Sequence, residues 1–130
     1  MNNSKYIVRF LCSFFYIFGG YIKKVSICDN KVVGEILFDD DEFETQAFIW
    51  HFSDLFYIRE SILFLDYSLD NNLINGDKFI FSKADLIKRI EKLSLWDKKE
   101  VPNIINYICN LNIKMVDEEG EETDSFFIHF

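Results

Sequence analysis

Apolar positions crowd the start of the chain. From Phe10 to Ile22 the run "FLCSFFYIFGGYI" is broken only by Ser13, Gly19 and Gly20, and Arg9 and Lys23 close it at either end. A bilayer-spanning helix needs about 20 consecutive apolar residues. Reaching back through Tyr6-Ile7-Val8 would place Arg9 in hydrocarbon at a cost of about 2.5–3.5 kcal/mol if central. A secretion signal would use Lys5 and Arg9 as its basic start, but no small-x-small cleavage site accompanies the run. The pattern therefore predicts a core helix over Lys5–Phe18. Asn2, Asn3 or Ser4 would cap its start, and Gly19 its end in the left-handed conformation. A helix apolar on nearly all sides is buried in a core rather than laid on it.

Beyond Gly20 the pattern changes. "YIKKVSI" and "KVVGEILF", rich in β-branched residues, flank "CDN" and predict a hairpin over residues 21–38. The acids from Asp39 onward suit a positive helix end, and Phe43, Ala47, Trp50 and Ile58 fall near one helical face, so a helix is expected over about 41–56. Residues 58–69 fit either element. Leu63, Leu65, Tyr67 and Leu69 alternate as in a strand, while Ile58, Ile62 and Leu65 suit a helix. "NNLINGD" reads as a turn and "KFIF" as a short strand. Ser82 with Asp85 resembles a capping box that opens a helix over "KADLIKRIEKL". Trp96 should pack in the following connection. Pro102 suits the first turn of a last helix. "NIKMV" and "SFFIHF", joined by "DEEGEETD", predict a second hairpin. Hairpins at both ends of the order favour an antiparallel sheet with helices packed on it, a single α+β domain over residues 1–130.

Composition strengthens the case for a packed core, since 49% of residues are hydrophobic and 15 are Phe. It also reveals a charge asymmetry. Residues 1–38 carry five cations and two acids, a net of +3, whereas the remainder carries nine cations and 20 acids, a net of −11, which makes the overall charge −8. Such a field repels nucleic-acid phosphate and attracts basic partners. Cys12, Cys28 and Cys109 lack CxxC spacing, so neither a disulfide framework nor a zinc knuckle is expected. They read as small buried hydrophobes in a reducing compartment.

The chemistry-bearing residues form no recognised catalytic pattern. His51 and His129 lack metal-ligand spacing, and His51 reads as a helix-face residue. No glycine-rich loop leads into a helix to cradle phosphate. Lys83, Lys88, Arg89 and Lys92 are interleaved with Asp85 and Glu91, and an Asp85–Arg89 pair would make that helix a solvated face. No cofactor, metal or nucleic acid is therefore expected, and no membrane association. What stands out is acid. "DDDEFE" holds Asp39, Asp40, Asp41, Glu42 and Glu44; "DEEGEETD" holds Asp117, Glu118, Glu119, Glu121, Glu122 and Asp124. Eleven carboxylates in two compact stretches exceed what capping needs. One reading is solvated charge. The other is a docking surface for a basic protein, with Asp39–Glu42 and Asp117–Glu122 as its contacts.

A small acidic α+β chain of this kind resembles the bacterial immunity proteins encoded beside polymorphic or contact-dependent toxins. The resemblance lies in size, charge, the aromatic density of "FIWHFSDLFYIRESILF" and the acidic C-terminal "DEEGEETDSFFIHF". It implies a cytoplasmic, non-enzymatic binder that holds a cognate toxin domain, often a nuclease, and blocks its active site or substrate groove. No family residue carries over, and the acidic contacts above rest on charge alone. Three other readings stand beside this one: an acidic adaptor or nucleic-acid mimic for some other basic protein, a small metal-dependent enzyme using His51 or the acidic loop, and a membrane-anchored protein using the N-terminal run.

Overall fold

The opening run forms helix α1 (Ser4–Ile17), closed by Gly19 at φ +74°. Its apolar residues Ile7, Phe10, Leu11, Phe14 and Phe15 recur at helical spacing and are buried. The helix is not buried all round, because Cys12 and Tyr16 on the opposite side are exposed. No side-chain cap forms at Asn3. The computed structural model describes residues 3–39, 44–53 and 55–130. None of the helices among them is long and apolar enough to cross a membrane.

The expected hairpin follows as β1 (Gly20–Cys28) and β2 (Lys31–Phe38), joined at Asp29-Asn30 with Asp29 at φ +47°. Within the helix expected over 41–56, the described residues instead form a strand, β3 (Thr45–His51), while residues 41–43 and 54 of that expectation lie outside the described residues. Phe48 and Trp50 are buried at a spacing of two, and the chain is paired on both sides, to β2 and to the later β6 (Ile113–Val116). Local helical spacing loses here to the hydrogen bonds and packing that two neighbouring strands supply. Residues 58–69 settle as helix α2 (Ile58–Asp70), with Ile58, Ile62 and Leu65 inward and Leu63 out. A short hairpin, β4 (Ile74–Asn75) and β5 (Lys78–Phe79), occupies the turn region. Helix α3 (Lys83–Glu91) is capped as expected, Ser82 Oγ accepting from the Asp85 N–H at 3.2 Å. Helix α4 (Val101–Cys109) carries Pro102 in its first turn, and Trp96 packs against the core beforehand. The last strand, β7 (Glu122–Phe126), starts earlier than "SFFIHF" suggested, which shortens the acidic loop to Asp117–Glu121.

Together these make a mixed α+β domain. The main sheet runs β1-β2-β3-β6-β7, with each neighbouring pair antiparallel. One face meets α1. Phe10 lies 5.6 Å from Trp50, Phe15 lies 4.9 Å from Phe48, and Phe18 lies 4.6 Å from Phe126, ring centre to ring centre. Tilted and edge-on contacts of this kind add about 0.5–1.5 kcal/mol each beyond burial. On the other face stand Lys24, Glu35, His51, Lys114 and Glu122, consistent with an antiparallel sheet that keeps one face wet. Arg9 ties α1 to α2: its guanidinium donates to Ser13 Oγ at 2.5 Å and to Asp66 at 2.6 Å, while Ser13 donates to Asp66 at 2.8 Å.

Three smaller expectations change. Cys12 and Cys28 are exposed and Cys109 is half-buried, so the thiols are not the buried hydrophobes their type suggested. Arg89 lies over the Phe81 ring rather than pairing with Asp85. His51 stands on a strand, with its Nε2 3.0 Å from Glu122.

Candidate partner-binding surface

The two acidic stretches are far apart in sequence, and the sheet topology decides whether they meet. β2 ends at Phe38 with Asp39 following, and β3 begins at Thr45 after Glu44. Because β3 is antiparallel to both β2 and β6, the ends of β2 and β6 lie on the same side as the start of β3. Leu37 pairs with Thr45, and Ala47 pairs with Val116 just before Asp117. Asp39, Glu44 and the Asp117–Glu121 turn therefore project from one end of the sheet. Asp40, Asp41 and Glu42 belong to the connection between Asp39 and Glu44 and lie outside the described residues.

The carboxylates at this end have different tasks. Asp117 holds the turn. Its Oδ1 accepts the N–H groups of Glu119 (3.0 Å) and Glu121 (2.8 Å), and its own N–H reaches Glu121 O at 3.0 Å. Gly120, at φ +82°, supplies the left-handed residue the turn requires. This is a side-chain-closed turn that needs Asp at its first position. It leaves Glu118, Glu119 and Glu121 exposed, with no cation within ion-pair distance among the described residues. Glu122 is different. It bridges Lys114 Nζ at 2.9 Å and His51 Nε2 at 3.0 Å. The Lys114 bond, followed by the one to His51, lowers its carboxyl pKa below the ordinary value. Its charge is answered within the sheet, so it contributes less to an outward field. Asp39 is exposed and accepts a hydrogen bond from the Tyr21 hydroxyl, which raises that phenol's pKa. Of the residues proposed from charge, Glu118, Glu119 and Glu121 are thus presented outward, Asp39 sits beside a tyrosine, and Asp117 and Glu122 have structural work.

The structure adds aromatic neighbours that charge reasoning did not find. Tyr16 at the end of α1 and Tyr21 on β1 are 61% and 52% exposed. They line a recess of about 430 Å³ together with Cys12, Gly20 and Leu69. Exposed tyrosines are typical anchors at protein interfaces. A signal was present: Lys5, Arg9, Cys12 and Tyr16 share one side of α1 at spacings of three and four, which marks the solvent face of an otherwise apolar helix. Among the described residues, no group of three or more His, Cys, Asp or Glu side chains is placed to hold a metal ion. Comparison with protein-family models, with curated proteins and with solved structures finds no match to this chain.

Proposed function

We propose that this chain is a non-enzymatic binding protein of the immunity type, which acts in the cytoplasm by holding and neutralising a basic toxin domain. The observation that carries the reading is the convergence of Asp39, Glu44 and the Asp117–Glu121 turn at one end of the sheet, with Glu118, Glu119 and Glu121 turned outward by a turn that Asp117 closes. A protein that works on polyanions needs a basic working face, and an acidic protein can occupy that face in place of phosphate. Opposite fields raise association rates toward about 10⁸–10⁹ M⁻¹s⁻¹ at low salt. Tyr16 and Tyr21 supply aromatic area next to Asp39 for short-range contact, which field alone does not provide.

The test is capture from the native host with tagged protein, mass spectrometry of what binds, and co-expression of the two. A basic partner that arrests growth alone, and is harmless when this chain is present, is the expected result. A captured partner that is acidic, or whose effect on growth is unchanged by this chain, would overturn the reading.

A further inference from the structure

The open edge of the main sheet is a second, chemically different feature. β1 ends the strand order, and among the described residues no strand pairs with its outer side. Two backbone bonds fix which of its residues face outward. The Phe52 N–H reaches Asn30 O at 2.8 Å, so the backbone groups of Val32 and its alternates point toward β3, and those of Lys31, Val33 and Glu35 toward β1. Their partners Cys28, Ser26 and Lys24 therefore point toward β2. The Asp39 N–H reaches Gly19 O at 2.9 Å, which sets Tyr21 toward β2 in the same way. Ile22, Val25 and Ile27 are left with their N–H and C=O groups turned to the open edge.

The side chains of the same three residues make this edge apolar. Ile22, Val25 and Ile27 are half-buried at the margin of the core, so a strand laid alongside would cover them. At about 3.3 Å per residue the edge from Ile22 to Ile27 is about 16 Å long, enough for about five residues of an added strand. At its start Ile22 also lines the recess of about 430 Å³, with Cys12, Tyr16 and Leu69, a volume within the range of about 300–1,000 Å³ usual for ligand sites. Arg9, Ser13 and Asp66 share that recess but are bonded to one another. They leave rings, a thiol and aliphatic carbon to meet an entering side chain.

The backbone names the class of occupant, and charge narrows it. A row of N–H and C=O groups along a strand edge is the complement of another extended main chain. When a strand is added in this way, main-chain hydrogen bonds give affinity and pockets for alternate side chains give specificity. Lys23 and Lys24 stand exposed in the middle of β1. Lys24 Nζ lies 3.6 Å from Glu35, whereas Lys23 has no acid within ion-pair distance among the described residues. Two copies of β1 would gather four lysines on one ribbon, and like charges across a strand pair are destabilising. Lysines on an edge are a common guard against self-pairing. A segment that carries acids meets no such barrier.

We infer that the edge of β1 accepts a strand from another protein, an extended acidic segment whose apolar side chain enters the recess beside Ile22 while its carboxylates meet Lys23 and Lys24. The site rests on the sheet edge and not on the acidic end, so it does not require the immunity reading. Its test is ¹⁵N-correlated NMR of the full chain, titrated with acetyl-Val-Glu-Phe-Glu-Val-amide. The Val25 and Ile27 amides should shift saturably in the millimolar range, and their hydrogen exchange should slow as outward N–H groups gain partners. Two N-methylated peptides show whether the main chain is read, because a strand turns alternate residues to one neighbour. Methylation at Phe and the last Val, and methylation at both Glu, should differ: one weakens binding at least tenfold, and the other leaves it like the parent. Exchange of both Glu for Lys in the peptide, or Lys23→Glu in the protein, should weaken binding at least threefold. No saturable shift at Val25 and Ile27, equal effects of the two methylation patterns, or undiminished binding after either charge exchange would each overturn the inference.

Discussion

Gly34→Ala is expected to destabilise this protein more than any other single-methyl change on the sheet. Gly34 lies in the middle of β2, between Val25 on β1 and Phe48 on β3. A Cβ at this position would stand 2.2 Å from the Lys24 carbonyl oxygen and 2.7 Å from the Phe48 ring. The ring could tilt, but the carbonyl belongs to the backbone of β1, beside the irregularity in register between Ile22 and Lys24. The edge strand must therefore shift to admit the methyl group. Overpacking of a side chain costs about 1–3 kcal/mol, and with backbone in the way the expected loss is about 3 kcal/mol or more. Gly120→Ala is the comparison. Nothing lies within 4 Å of its Cβ position, so only the left-handed φ of +82° matters, a cost of about 1–2 kcal/mol. Urea melts of the two variants should rank them in that order. A Gly34→Ala protein as stable as the wild type would contradict the β1–β2–β3 register.

Phe15→Ala is the second large effect. Phe15 is fully buried and meets Phe14 of its own helix, Phe48 and Phe126 at ring distances of 5.7, 4.9 and 5.7 Å, so it fastens α1 to both β3 and β7. Its truncation should cost about 3–5 kcal/mol, a large share of the about 5–15 kcal/mol that holds a domain folded. The midpoint of thermal unfolding should fall by about 10 °C or more. Tyr16, one residue on and 61% exposed, should tolerate the same change within about 0.5 kcal/mol. The contrast between adjacent positions fixes the phase of α1. It also answers what the apolar N-terminal run is for, since an appendage or a lipid-facing segment would leave both variants unaffected in the melt.

What could be read before the fold was known was local. The first hairpin carried its signature in β-branched arms and a tight polar turn. Helix α3 was announced by Ser82 and Asp85, and the end of α1 by Gly19. Where local patterns conflicted, contacts far along the chain decided. The acids before β3 looked like helix caps, and Phe43, Ala47 and Trp50 gave a helical spacing. The alternation of Phe48 and Trp50 was present as well, but its weight comes from β2 and β6, one of them more than 60 residues away in sequence. In α2, Leu63 and Leu65 look equivalent in the sequence, yet one is 57% exposed and the other fully buried, because α1 and α4 cover one side only.

The candidate surface was half legible. Its acids were conspicuous, but their convergence depends on strand order, and the division of labour between Asp117, Glu122 and the outward glutamates depends on hydrogen bonds that composition does not encode.

The central claim is that the acidic end recruits a basic protein through its field. Association with the captured partner should be measured against ionic strength for the wild type and for Glu118→Gln, Glu119→Gln, Glu121→Gln combined, leaving Asp117 and Glu122 in place because they hold the turn and the sheet. Association of the variant at low salt should be slower by about tenfold or more and less sensitive to salt, with dissociation little changed. Equal association rates for the two proteins at low salt would contradict the account.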